Sequence, residues 1–157
     1  MSGVWLGVDV GTVRVGVARS DGAGILATPV TTLKRDATGD QDLAELAELV
    51  RESGAVGVVI GLPKTLQGRE GPAAQLAREY GERLARLVAV PVRHVDERLT
   101  TVSAQRKLRQ GGIRGSRATR AVIDQAAAVE LLQHWLEIVR ADPDRVRTDG
   151  PERSSQA

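Results

Sequence analysis

The stretch Leu6-Gly-Val-Asp-Val-Gly-Thr-Val-Arg-Val-Gly-Val-Ala18 governs how the rest of the chain is read. Its apolar residues make two runs of strand length, over positions 5–10 and 13–20, joined around Gly11-Thr12, and this pattern predicts a β-hairpin. The first run carries Asp9 within it. An ionised carboxylate in an apolar strand is costly unless a metal, a cation or several donors compensate it. Something must therefore stand against Asp9.

Working outward, residues 25–33 supply a third strand, entered through the turn Asp21-Gly22-Ala23-Gly24. Over 40–53, Leu43, Leu46, Ala47 and Val50 fall at helical spacing, and Gly54 stops the helix. Residues 55–60 are continuously apolar and end in Gly61-Leu62-Pro63; the Gly-rich loop to Gly71 is either a lid over substrate or an ordinary connection. A stripe of Leu76, Tyr80, Leu84 and Leu87 predicts a helix over 72–87, and residues 90–95 make another strand, running into Asp96-Glu97-Arg98. Thr100 or Thr101 can cap a helix to Gln110, which Gly111-Gly112 breaks. Ser116 can cap a last helix reaching Arg140. A three-strand meander followed by αβαβα predicts an α/β fold with a five-stranded mixed sheet flanked by helices. One domain is expected over 1–141, followed by a polar, disordered tail over 142–157.

With 157 residues the chain is long enough for a real core. Two Trp, one Tyr and no Phe leave that core to Val, Leu, Ile and Ala; Tyr80 and Trp135 fall on helix stripes and are expected inside it rather than as base-stacking platforms. No run approaches the roughly 20 apolar residues of a membrane span. The N-terminus shows no basic segment followed by an apolar one, so a soluble, cytoplasmic protein is expected. The lack of cysteine excludes disulfides, thiolate zinc sites and a Cys nucleophile, and His94 and His134 stand apart. Ser103 and Ser116 have no evident His partner, and neither GxxxxGK[ST] nor GxGxxG occurs. Net charge is +2, yet Arg98, Arg106, Lys107, Arg109, Arg114, Arg117 and Arg120 follow one another with no acid between them. Such a run is commonly a solvated helix face; without interspersed acids it favours a surface for a polyanion.

Further carboxylates occupy unusual places. Asp124 sits in Ala121-Val-Ile-Asp-Gln-Ala-Ala-Ala-Val-Glu-Leu-Leu132, surrounded by apolar residues. In a helix that starts at Ser116 it lies too deep to be a cap; in one that starts near Ala121 it would be one. Asp96-Glu97 ends a strand, where an acidic pair serves either a turn or a site. If Asp9, Asp96-Glu97 and Asp124 converge, an all-carboxylate cluster suits Mg²⁺ or Mn²⁺. Two such ions, about 4 Å apart, clamp the attacking water and the leaving oxygen of a phosphodiester. The residues thus point to a metal-dependent phosphodiesterase acting on nucleic acid, with a non-catalytic nucleic-acid or ribosome-associated binding factor as the competing class.

Four segments in order, Asp9-Val-Gly-Thr-Val-Arg-Val-Gly16, Gly61-Leu-Pro-Lys-Thr-Leu-Gln-Gly68, Asp96-Glu-Arg-Leu-Thr-Thr101 and Ile123-Asp-Gln-Ala-Ala-Ala128, resemble the YqgF/RuvX family. These are Holliday junction resolvases also described as pre-16S rRNA nucleases, with an RNase H-like fold. The resemblance implies a cytoplasmic bacterial nuclease, using Mg²⁺ or Mn²⁺, that acts on structured RNA or branched DNA. It favours 5′-end maturation of pre-16S rRNA, with ribosomal precursor particles as partners, over junction resolution. It implies that Asp9 bridges both ions while Glu97 and Asp124 each hold one; Asp96 is a neighbouring partner or a ligand itself, since spacing alone leaves the choice between 96 and 97 open. Arg14 and the basic run would hold the nucleic acid. One departure stands out: RNase H-like nucleases commonly carry an acid at the end of the fourth strand, where this chain has Gly61-Leu62-Pro63. Gly7-Val-Asp-Val-Gly-Thr12 also resembles the first phosphate loop of the actin and sugar-kinase superfamily, whose members enclose nucleotide between two such domains. Paired incision of a junction would require a symmetric dimer, and no dimerisation stripe is evident.

Overall fold

The computed structural model describes residues 3–63, 67–96 and 117–143. Five strands and three helices follow in order: β1 (Trp5–Val10), β2 (Arg14–Ser20), β3 (Ala27–Lys34), α1 (Gln41–Ser53), β4 (Gly57–Leu62), α2 (Pro72–Ala85), β5 (Val92–Asp96) and α3 (Arg117–Ala141). The expected helix over 100–110, positions 64–66 of the Gly-rich loop and the tail from 144 onward lie outside the described residues.

The strands form one mixed sheet in the order β3-β2-β1-β4-β5. β1 pairs antiparallel with β2, and β2 with β3; β1–β4 and β4–β5 are parallel. Every residue of β1 and β4 is buried, as strands covered on both faces must be. Alternation divides the side chains between two cores. Leu6, Val8, Val10, Val15, Val17, Val58, Ile60 and Leu62 face α1 and α2, against Leu43, Leu46, Val50, Ala77, Tyr80 and Leu84. Trp5, Ala18, Val59 and Val95 face α3, against Ala127, Ala128, Leu131, Leu132, Trp135 and Leu136. Tyr80 and Trp135 are core residues, as their helix stripes predict. No helix among the described residues is long and apolar enough to cross a membrane.

Four strands, β2 to β5, begin one or two residues later than the apolar pattern suggests, and for β4 and β3 a local hydrogen bond claims the backbone. Gly54 adopts the left-handed conformation (φ 66°, ψ 29°) that ends α1. The Ala55 amide then donates to the Val50 carbonyl at 3.1 Å, closing the helix end instead of opening the strand. Ile25 and Leu26 are likewise taken up by the preceding turn, where both amides donate to Asp21 Oδ1 at 2.7 and 3.0 Å. Those donors hold the Asp21 carboxyl below its usual range.

α3 lies close on the sheet because glycines make room for it. A Cβ on Gly7 would sit 2.7 Å from Leu132 Cβ and 3.0 Å from the Ala128 carbonyl oxygen. Side chains lock the placement: Gln133 accepts from the Ala27 amide and donates to the Ile25 carbonyl, each at 2.9 Å, and Gln125 donates to Thr32 Oγ1 at 3.1 Å. α3 is not apolar-buried all round, contrary to its composition; Val122 is 64% exposed, and one stripe alone meets the sheet.

Candidate active site

Asp9 lies near the C-terminal end of β1 and is fully buried. It belongs to the odd-numbered positions of β1, with Trp5 and Gly7, which face α3. The antiparallel register sets Gly16 of β2 directly beside it, at a Cα separation of about 4.5–5.5 Å. A side chain at Gly16 is impossible without moving α3: its Cβ would run into the Asp124 carbonyl and lie 3.2 Å from the Asp124 Cβ. One hydrogen atom in place of a side chain thus brings the residue beside Asp9 into contact with the residue carrying the second carboxylate.

Asp124 is 1% exposed. It lies about two turns inside α3, so it is not a helix cap, and the alternative start near Ala121 does not occur. Arg14, on the same side of β2 as Gly16, donates from Nε to Asp124 Oδ2 at 2.7 Å. Asp9, Gly16, Arg14 and Asp124 therefore share one corner of the molecule. β1, β4 and β5 are parallel and end on this same edge, where open α/β sheets present their ligand sites.

A model for RuvX, described as Holliday junction resolvase, matches residues 3–138. The chain belongs to the RuvX family. Among its RuvX relatives, a protein of Frankia casuarinae is 57% identical over 135 residues, covering 85% of this chain and 66% of that one. A protein of Mycobacterium sp. (strain KMS) is 58% identical over 137 residues, covering 87% and 80%. Both carry the name "Putative pre-16S rRNA nuclease". In solved structures the fold is similar to Thermus thermophilus RuvC, at TM-score 0.51 and 13% identity over 94% of this chain and 98% of that one. The same protein in complex with a Holliday junction substrate matches at TM-score 0.54 and 14% identity, over 88% and 96%. RuvC has an RNase H-like fold, and this chain shares it.

RuvX-type chemistry calls for a divalent cation, and the donors here fit one. Asp9 and Asp124 offer hard carboxylate oxygens, the chemistry that Mg²⁺ and Mn²⁺ prefer. The corner already accommodates positive charge, since a guanidinium is bound to Asp124. Among the described residues no three His, Cys, Asp or Glu side chains come together as a complete metal site. Glu97, Arg98, Arg106, Lys107, Arg109 and Arg114 lie outside the described residues, while Arg117 and Arg120 stand on the first turn of α3 and just beyond it.

Asp96 is paired in register with Leu62, a residue of the α1/α2 core, and Val95 with Gly61. Its position thus belongs to the sheet face opposite Asp9. Sequence reasoning took Arg14 for a nucleic-acid contact and did not anticipate its bond to Asp124, nor the role of Gly16. A signal was present: Gly7 and Asp9 share one parity in β1, and Arg14 and Gly16 one parity in β2. A glycine inside a strand marks close approach of another backbone.

Proposed function

We propose that this chain is a divalent-metal-dependent endonuclease that matures the 5′ end of pre-16S rRNA in the cytoplasm, on ribosomal precursor particles. The observation that carries the proposal is the placing of two buried carboxyl residues, Asp9 and Asp124, on either side of Gly16 at the C-terminal edge of the parallel strands. Burying two acids against each other has no structural advantage, and a mere binder of phosphates gains nothing from concentrated negative charge. A cation-dependent reaction accounts for both.

In the proposed site Asp9 and Asp124 hold Mg²⁺ or Mn²⁺ with Glu97 as the third carboxylate. The parity of β5 speaks against Asp96: Val92, His94 and Asp96 belong to the α1/α2 face, Arg93 and Val95 to the α3 face; Glu97 is the acid that the family resemblance implies. When bound, the metal lowers the pKa of a coordinated water and neutralises charge on the leaving oxygen. The chain's own tasks are to orient those carboxylates and to hold the nucleic acid. The second task falls to Arg98, Arg106, Lys107, Arg109, Arg114, Arg117 and Arg120, which neutralise phosphates without reading sequence.

The RNA reading follows the printed names of relatives at 57 and 58% identity. The family description favours a second reading, Holliday junction resolution, which would need a two-fold dimer to cut symmetrically. Purified protein with Mn²⁺, offered matched pre-16S leader RNA, duplex DNA and a four-way junction, separates them. Preferential cleavage of the RNA is expected. Preferential, paired cleavage of the junction would replace the first reading with the second, and binding of all three without cleavage would refute the enzyme.

A further inference from the structure

Arg14 opens β2, with Lys34 of β3 opposite it, and its carbonyl accepts from the Gly11 amide at 2.9 Å. Turn and ladder thus fix its backbone on both sides. Its side chain crosses to the one functional carboxylate contributed by α3, with Nε 2.7 Å from Asp124 Oδ2. The two partners differ in burial: the Asp124 side chain is 1% exposed, that of Arg14 22%. A buried anion is therefore matched by a cation that retains a way out to water.

We infer that Arg14 is a built-in counter-cation, which orients Asp124 in the metal-free protein and is displaced from it when the divalent ion binds. The inference rests on the metal reading above. A buried carboxylate is costly without a compensating partner, and the planar guanidinium of Arg14 supplies one at 2.7 Å. A divalent ion held by Asp124 would be repelled by a guanidinium bound to the same carboxylate, so the two cations would compete for it. Arg14 can leave because part of its side chain already meets solvent.

The test is calorimetric titration of Mn²⁺ into wild type, Arg14→Gln, Arg14→Lys and Asp9→Asn, with melting curves of each in EDTA. Wild type should bind Mn²⁺ and Asp9→Asn should not. Arg14→Gln should bind about tenfold more tightly, equivalent to about 1.4 kcal/mol, yet melt lower in EDTA and gain more on adding Mn²⁺. Arg14→Lys, which keeps the charge without the planar donor, should fall between and serves the comparison if Arg14→Gln does not fold. Adding Asp124→Asn to Arg14→Gln should recover part of the melting temperature in EDTA, because the carboxylate that Arg14 served is then neutral. Equal or weaker Mn²⁺ binding by the Arg14 variants, with binding in wild type still dependent on Asp9, would overturn the role of Arg14 alone. Absence of Mn²⁺ binding in wild type would overturn the metal reading and this inference together.

Discussion

Arg14 and Arg35 sit almost side by side, since the amide of Arg35 donates to the carbonyl of Val13 at 2.8 Å, yet they serve buried carboxylates in different parts of the fold. Arg35 donates to Asp42 Oδ2 at 3.3 Å, near the start of α1. The same oxygen accepts from the Tyr80 hydroxyl at 3.1 Å, and Oδ1 accepts from the Asp36 amide at 3.2 Å. The guanidinium also stacks over the Tyr80 ring, 4.8 Å from its centre. Burial, and after it the charge of Asp42, pushes the Tyr80 hydroxyl far above its usual pKa, so it stays a donor. Asp42 is thus fully engaged by the protein itself, tying the end of β3 to α1 and α2.

Asp124 has the same charge and nearly the same burial, but its arginine is differently placed: the Arg35 side chain is 9% exposed and that of Arg14 22%. Asp124 also has a second acid, Asp9, across Gly16, at the edge where the parallel strands end. A buried carboxylate is therefore not in itself a sign of function. Donors from several elements make Asp42 a structural anchor; the proposed site differs in its neighbouring acid and in an arginine with access to water.

The largest expected difference between the two is in catalysis. Asp9→Asn should abolish Mn²⁺-dependent cleavage while the protein stays folded by circular dichroism, and its melting temperature in EDTA should not fall, because repulsion between carboxylates is removed. Asp42→Asn should keep the turnover of its folded fraction. Loss of turnover in folded Asp42→Asn would erase the distinction between the two centres. The next test sharpens the site's own membership. Glu97→Gln should be as inactive as Asp9→Asn, whereas Asp96→Asn should keep measurable turnover, reduced by about 10–100-fold if it orients a neighbour. The reverse order of the two would exchange their roles.

In stability the order of the two centres should invert. Asp42→Ala strands Arg35 and the Tyr80 hydroxyl in the core and should cost about 3–5 kcal/mol in urea unfolding. Asp124→Asn should cost less than Asp42→Ala, because Arg14 can turn to water. A larger loss in Asp124→Asn would show that exposure is not what separates the arginines. The smallest effect concerns His94, packed under α2 with Nε2 3.4 Å from the Ala77 carbonyl oxygen. Burial lowers its pKa from 6.5, ahead of the opposing hydrogen bond to Ala77. The unfolded chain then binds the proton more readily, so His94 favours the folded state above pH 6.5 and loses that contribution as pH falls towards its folded pKa. His94→Gln should flatten the slope of stability against pH just below 6.5; an unchanged slope would assign that dependence to other groups.

Much of this was legible in the residues because it is local. Strand alternation and the hairpin at Gly11-Thr12 follow from period-two patterning, the end of α1 from Gly54, and the oddity of Asp9 from the cost of charge among apolar neighbours. The depth of Asp124 inside its helix was not: the sequence left the start open between Ser116 and Ala121, and the structure sets it at Arg117. Nor was partner identity. Arg14 was placed with the nucleic-acid contacts because a lone arginine beside a turn carries no record of what lies 110 positions away. Nothing near Asp42 in the sequence marks its role, since Tyr80, 38 residues further on, completes its hydrogen bonding. The order of elements, the apolar faces and the presence of unusually placed acids were determined by the sequence alone. Which acids meet, which arginine serves each, and which side of β5 carries Asp96 were decided by strand register and by the seating of α3 on Gly7 and Gly16. These are contacts between distant segments, and local composition does not encode the partner.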